Sequence, residues 1–157
     1  IGNPTTPEIV YGFGPSFHYK GFDFSFFFQG IAKTSLFMSG LQPFGTTMDN
    51  KNVQTFIAED HWSPDNQNIF AKYPRLTIER SANNATTSTY WERDGAFLKL
   101  KNAEIGYTFK SMRFYLRGSN LLTFSKFKLW DPEQGGGNGL KYPTQRVFNI
   151  GFQMTIK

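Results

Sequence analysis

Few residues in this chain have the types and spacing that chemistry requires. His18 and His61 are the only two histidines among 157 residues. They fall on different segments, which argues against a histidine-based metal site or catalytic triad. Two carboxylate pairs stand out, Glu59-Asp60 and Asp131/Glu133. Paired carboxylates can act as the acid and base of glycoside cleavage or bind calcium. Both pairs lie in stretches read as loops, where solvated charge is the simpler expectation. The Gly135–Gly139 run lacks the Lys-Ser/Thr that completes a phosphate-binding loop, and it reads as a flexible loop tip. With no cysteine, the chain has no disulfide, thiolate metal site or cysteine nucleophile. The residues therefore point to no enzyme, no metal and no cofactor. Trp62 and Trp130 are the loop aromatics best suited to touch a ligand or a protein partner. Their simpler reading is packing within the loops.

Composition narrows the class. Lys and Arg number 17 against 12 Asp and Glu, for a net charge of +5, and 18% of residues are aromatic. A basic, aromatic-rich β protein could bind single-stranded nucleic acid by stacking and charge. Here the basic residues are dispersed among acidic neighbours, so nucleic acid is not the expected partner. Mean hydropathy is only −0.43, so the aromatics must alternate with polar residues. No apolar run approaches the roughly 18 residues of a membrane helix; the best, Phe22 to Phe28, is interrupted by Asp23 and Ser25. The chain opens on Ile1-Gly2-Asn3-Pro4 without a targeting segment, and reads as a mature segment or a fragment.

The elements that must position these residues are strands. Period-2 alternation predicts strands over about 8–19, 22–30, 97–109, 113–124 and 146–157. Phe22, Phe24, Phe26 and Phe28 form the strongest row, against Asp23, Ser25 and Gln29 on the other face. Ala103, Ile105, Tyr107 and Phe109 alternate with polar residues or glycine. Phe114 and Leu116 alternate with Arg113, Tyr115 and Arg117. Phe148, Ile150 and Phe152 alternate with Asn149, Gly151 and Gln153. Pro15 cannot donate to a ladder and belongs at an edge or bulge. Leu98 and Leu100 are out of phase with Ala103, and a bulge near Lys101-Asn102 restores them. A short helix is predicted from about Asn50 to Glu59, with Asp49 as its cap.

The connections alternate short and long. Lys20-Gly21 and Lys110-Ser111 are minimal turns, whereas about 33–90 and 125–142 are long loops, far beyond the roughly 12–15 residues usual in a compact domain. Short turns at one end and long loops at the other are the pattern of an outer-membrane β-barrel. The predicted fold is all-β, an antiparallel transmembrane barrel segment. Phe22, Phe24, Phe26, Phe28, Phe148, Ile150 and Phe152 then face lipid. Asp23, Gln29, Arg113, Arg117 and Gln153 face a wet lumen.

Several stretches resemble the end of the SusC/RagA family of TonB-dependent outer-membrane transporters. They are Tyr90-Trp91, the run from Asp94 to Asn102, Gly106-Tyr107-Thr108, Gly118-Ser119-Asn120-Leu121, Trp130-Asp131-Pro132-Glu133 and Arg146-Val147-Phe148. Upstream, Tyr19 to Asp23 and Trp62 to Asn66 match in the same order. The family commonly closes on an aromatic residue, whereas here Lys157 follows Ile156. The resemblance implies the last strands of a barrel of about 22 strands with a plugged lumen, in the outer membrane of a Gram-negative bacterium. It implies a plug and a TonB-contacting segment N-terminal to this stretch, a SusD-like surface lipoprotein as lid, and import of oligosaccharides or peptides. Five strands alone would leave two bare edges, each unpaired backbone group costing several kcal/mol in lipid. The competing expectation is a soluble basic β domain that binds carbohydrate or single-stranded nucleic acid.

Overall fold

The computed structural model describes residues 2–40, 53–77 and 81–156. In chain order its elements are β1 (Ile9–Phe13), β2 (Ser16–Tyr19), β3 (Phe22–Ala32), β4 (Ser35–Phe37), α1 (Thr55–Glu59), α2 (Ala82–Ala85), β5 (Glu92–Asp94), β6 (Phe97–Phe109), β7 (Met112–Ser125) and β8 (Val147–Met154). One antiparallel sheet runs β1-β3-β6-β7-β8, with β2 also paired to β3.

The strand expected over 8–19 is two strands. Pro15 has no N–H to give, and its carbonyl accepts from the Phe26 N–H at 3.4 Å. The register nevertheless runs through unbroken, Phe13 opposite Phe28 and Ser16 opposite Ser25, so the proline interrupts hydrogen bonding without shifting a side chain to the other face. The last strand is shorter than expected, ending at Met154. The Lys20-Gly21 turn has both residues at positive φ, 46° and 86°. That is the two-residue geometry whose twist matches the flanking strands, and glycine enters it without steric cost.

The bulge lies at Lys101. Phe27 pairs with Asn102 and Phe28 with Leu100, leaving Lys101 as the extra residue. On the other side Asn120 and Leu121 stand opposite it. The insertion brings Leu98 and Leu100 onto the same face as Ala103, Ile105 and Tyr107. Asn120 adopts φ 54°, and its side-chain amide donates to the Gln145 carbonyl at 3.0 Å. Asn120→Val is expected to destabilise the hairpin by about 1–2 kcal/mol, since a β-branched side chain clashes in the left-handed region. Asn120→Gly should lose less. Urea midpoints of the folded protein in detergent would check the order.

The long β3–β6 connection is not the featureless loop that its lack of alternation suggests. It holds β4 and β5, which pair with each other, and α1, whose described span is shorter than predicted. The N-cap position is Gln54, without a side-chain capping bond, and Asp49 lies outside the described residues. Leu36, Met38, Ile57, Tyr73, Trp91 and Phe127 form a buried core here. The 126–146 segment contributes Phe127, so the two long loops share one core. Among the described residues the large sheet forms no such cluster of its own, and its hydrophobic face is open.

Candidate functional site

Register fixes what each face of the sheet carries. Three transverse rows cross one face: Phe22-Tyr107-Phe114-Phe152, Phe24-Ile105-Leu116-Ile150 and Phe26-Ala103-Gly118-Phe148. Phe28, Leu100 and Leu122 continue it past the bulge. Rings meet across strands at 4.5 Å for Phe22 and Tyr107 and 4.9 Å for Phe114 and Phe152. Pairs of this kind contribute roughly 0.5–1.5 kcal/mol beyond area burial. Ile150 is 89% exposed and Phe148 64%. A continuous aromatic face of this extent cannot stay bare in water. β6 has 13 residues, and at about 3.3 Å per residue and a ~45° tilt it reaches about 30 Å, the thickness of a bilayer core.

The opposite face is polar and tied together by charge. Arg113 on β7 reaches across two strands. Its Nε donates to Asp23 Oδ1 at 3.1 Å, one Nη bonds the other Asp23 oxygen, and the same Nη meets Glu104 Oε1 at 2.6 Å. Glu104 also holds Arg117 through Nε at 2.9 Å. Tyr115 lies beside this network, with the Arg113 guanidinium 5.0 Å from its ring centre. The ring lies flat over Gly151, where an added Cβ would stand 2.1 Å from Tyr115 Cζ. Gln153 is opposite Arg113, and Gln29 is opposite Lys99. The sheet therefore brings Asp23, Gln29, Arg113, Arg117 and Gln153 onto one face, and the seven apolar residues singled out above onto the other.

Further from the short turns, the polar face is covered by the 126–146 segment. Asp131 and Glu133 are not solvated loop charges, contrary to the sequence expectation. Lys99, only 1% exposed, donates from Nζ to Asp131 Oδ2 and Glu133 Oε2, both at 2.6 Å, and Lys101 reaches Glu133 Oε1 at 2.5 Å. Burial pulls both carboxyls up. Hydrogen bonds to Asp131 from Lys99, the Glu133 N–H and Thr144, and to Glu133 from Lys101 and Lys99, together with the charges of the lysines, outweigh it and hold both below the usual carboxylate range. Groups lowered in this way stabilise the fold above their ordinary values and lose that contribution as pH falls through the lowered ones. The segment should therefore loosen from the wall only below about pH 4, read as a loss of hydrogen-exchange protection at the Gly137 amide. Sequence reasoning missed Lys99 altogether. Its signal was a lysine between Leu98 and Leu100 in phase with Gln29, visible only once the bulge is placed.

The glycine run is also anchored rather than free. Gly137 N–H donates to Phe37 O, and Ser39 N–H donates to Gly137 O, both at 2.9 Å. Trp130 packs edge-on against Phe127 at 4.6 Å and donates its indole N–H to Gly135 O at 2.9 Å. Trp62 is half-buried, and its backbone N–H bonds Tyr73 O. His18 pairs opposite Asp23 on the sheet, while His61 bonds Ala58 O at 2.9 Å in the loop body, so the two histidines do not meet. No cluster of three or more His, Cys, Asp or Glu suited to a metal exists among the described residues.

An antiparallel sheet with one aromatic face, one charged face, two-residue turns at one end and folded loops at the other is a segment of an outer-membrane-type β-barrel wall. No protein-family model matches the chain. It is 29% identical over 184 residues to TonB-dependent receptor P26 of Formosa agariphila, aligned over 99% of this chain and 18% of that protein. It is 31% identical over 177 residues to TonB-dependent receptor P3 of the same organism, over 98% and 17% respectively. Among solved structures it resembles the RagAB peptide transporter with a TM-score of 0.75 and 25% identity, over 98% of this chain and 18% of that one. The RagAB peptide importer in its closed-closed state has the same fold, with a TM-score of 0.73 and 24% identity over 98% and 18%. The chain is similar to these TonB-dependent receptors and to RagAB, in line with the SusC/RagA resemblance of its motifs, and it spans less than a fifth of their length.

Proposed function

We propose that the chain is the C-terminal part of the barrel of an outer-membrane nutrient importer in a Gram-negative bacterium. The barrel has about 22 strands closed around a plug. TonB drives import through the N-terminal part, and a SusD-like lipoprotein covers the outer mouth. The observation that carries this reading is the two-sided sheet: three transverse rows free of polar side chains on one face and a four-charge network on the other, with two-residue turns at one end. The rows from Phe22 to Phe28 and Phe148 to Phe152 face lipid, while Asp23, Gln29, Arg113, Arg117 and Gln153 face the lumen. The short turns lie on the periplasmic side, and the 33–90 and 125–142 stretches lie outside.

Cargo is an oligosaccharide or a peptide, and the RagAB likeness favours a peptide. Of the two tryptophans proposed to meet cargo or lid, Trp62 is the better placed. The ring and N–H of Trp130 are already engaged by Phe127 and Gly135.

Two measurements test the reading. Deleting the gene should abolish uptake of either a labelled peptide mixture or labelled oligosaccharides, and undiminished uptake of both would overturn it. Expressed without detergent, the chain should aggregate. A monodisperse monomer on sedimentation would favour the soluble carbohydrate- or nucleic-acid-binding reading instead.

A further inference from the structure

The structure assigns Lys99, Lys101, Asp131 and Glu133 a positioning role. We propose that they clamp the 126–146 segment against the wall as an inner lining of the passage and so set the shape of the cavity beneath it. The reading of this face as the lumen underlies the proposal; the clamp itself rests on its own geometry.

Packing alone does not explain Lys99. A lysine is almost never fully buried unless paired, and stripping its ammonium of water costs several kcal/mol unless partners replace the lost hydrogen bonds. Position 99 sits between two leucines on a strand, where an apolar residue would fill the space without that penalty. The wall instead carries a buried ammonium answered by two carboxylates at 2.6 Å. A second amine joins it. Lys101, the extra residue of β6, lies two residues from Lys99, the spacing that keeps successive strand side chains on one face, and both amines converge on Glu133.

The loop presents its carboxylates rigidly. Asp131 Oδ1 accepts the Glu133 N–H at 3.0 Å and caps a single 3-10 turn whose first residue is Pro132. The clamp also holds more than its own loop. Gly137 is hydrogen-bonded to Phe37 and Ser39, and an added Cβ at Gly136 would lie 2.5 Å from the Phe37 carbonyl. Through these contacts the β4 region and the 126–146 segment become one body. Between that body and the sheet lies a cavity of about 570 Å³, lined by Gln29, Ile31 and Phe97 from the wall and by Phe37, Pro132 and Gly136 from the loops. Releasing the clamp would remove one side of this cavity and leave the strands in place.

Hydrogen exchange on the full-length transporter in detergent tests this without any cargo, so its outcome is separate from that of the import reading. In the Asp131→Asn/Glu133→Gln variant, peptides covering 131–139 and 37–39 should lose protection by on the order of 100-fold. Peptides within 103–109 and 112–119 should keep theirs. Lys101→Arg, which retains a cation for Glu133, should leave the loop as protected as the native protein. Loop protection unchanged in the double variant would overturn the proposal, as would an equal loss in Lys101→Arg. Should the double variant fail to assemble, Glu133→Gln alone, which leaves the Lys99–Asp131 pair, gives the same test: a partial loss confined to the loop supports the clamp, and no loss refutes it.

Discussion

Replacing Arg113 by leucine in the full-length protein is expected to destabilise the barrel by about 2–3 kcal/mol, somewhat below the cost of breaking a fully buried ion pair. The reason is what remains. Asp23 and Glu104 each have side chains only 18% exposed, and they lie on neighbouring strands with the guanidinium as their shared counter-ion. Without it, two carboxylates face each other across the β3–β6 ladder, and Arg117 can reach only Glu104. Leucine cannot replace the bonds from Nε and Nη. The effect should be specific to charge. Adding Asp23→Asn to Arg113→Leu should recover a large part of the loss, because the surviving Glu104–Arg117 pair is then balanced. Urea unfolding of the detergent-folded protein, monitored by heat-dependent gel migration, gives the four corners of the cycle. Additive losses for Arg113→Leu and Asp23→Asn would mean that the two side chains do not interact.

Much of the wall was legible from residue types alone, because a strand's two-residue period is written directly in the sequence. Phe22 to Phe28 against Asp23 and Ser25 needs no partner to be recognised, and neither does Phe148 to Phe152. The bulge was legible for the same reason: Leu98 and Leu100 fall out of phase, and a single extra residue at Lys101 repairs it. The loops were opaque on physical grounds. Their core is built from residues far apart in sequence, Leu36 with Trp91 and Phe127, and no local period encodes contacts across such distances. The same holds for the charged groups. Asp131 and Glu133 look like solvated loop carboxylates until Lys99, 32 and 34 residues away, is seen beneath them. The glycine run looks flexible until Gly137 is seen hydrogen-bonded to Phe37. Lys99 was hidden by its type, since a lysine read in sequence is normally assigned to solvent.

Placing an arginine at Phe26 should impair assembly by about 2–4 kcal/mol, the depth-dependent cost of a charge on the lipid face of a barrel. Register sharpens this into a gradient. Phe26 lies in the row of Ala103, Gly118 and Phe148, whereas Phe152 lies in the row of Phe22, Tyr107 and Phe114, two rows nearer the short turns. Tyr19 extends that outer row opposite Phe22. Tyrosines gather where a barrel wall meets the headgroups, so Tyr19 and Tyr107 mark that row as interfacial. An arginine at Phe152 can therefore extend toward water, and its cost should fall to about 0–1 kcal/mol, while Phe148→Arg should match Phe26→Arg. Asp23→Arg, on the opposite face, should leave lipid insertion intact and cost only its pairing with Arg113. Folding yields into lipid vesicles, compared across these four variants, separate the faces and the depths together. Normal assembly of Phe26→Arg alongside failure of Asp23→Arg would reverse the assignment of faces. Equal losses at Phe26 and Phe152 would leave the faces standing but place the membrane boundary nearer the two-residue turns than the Tyr19–Tyr107 row.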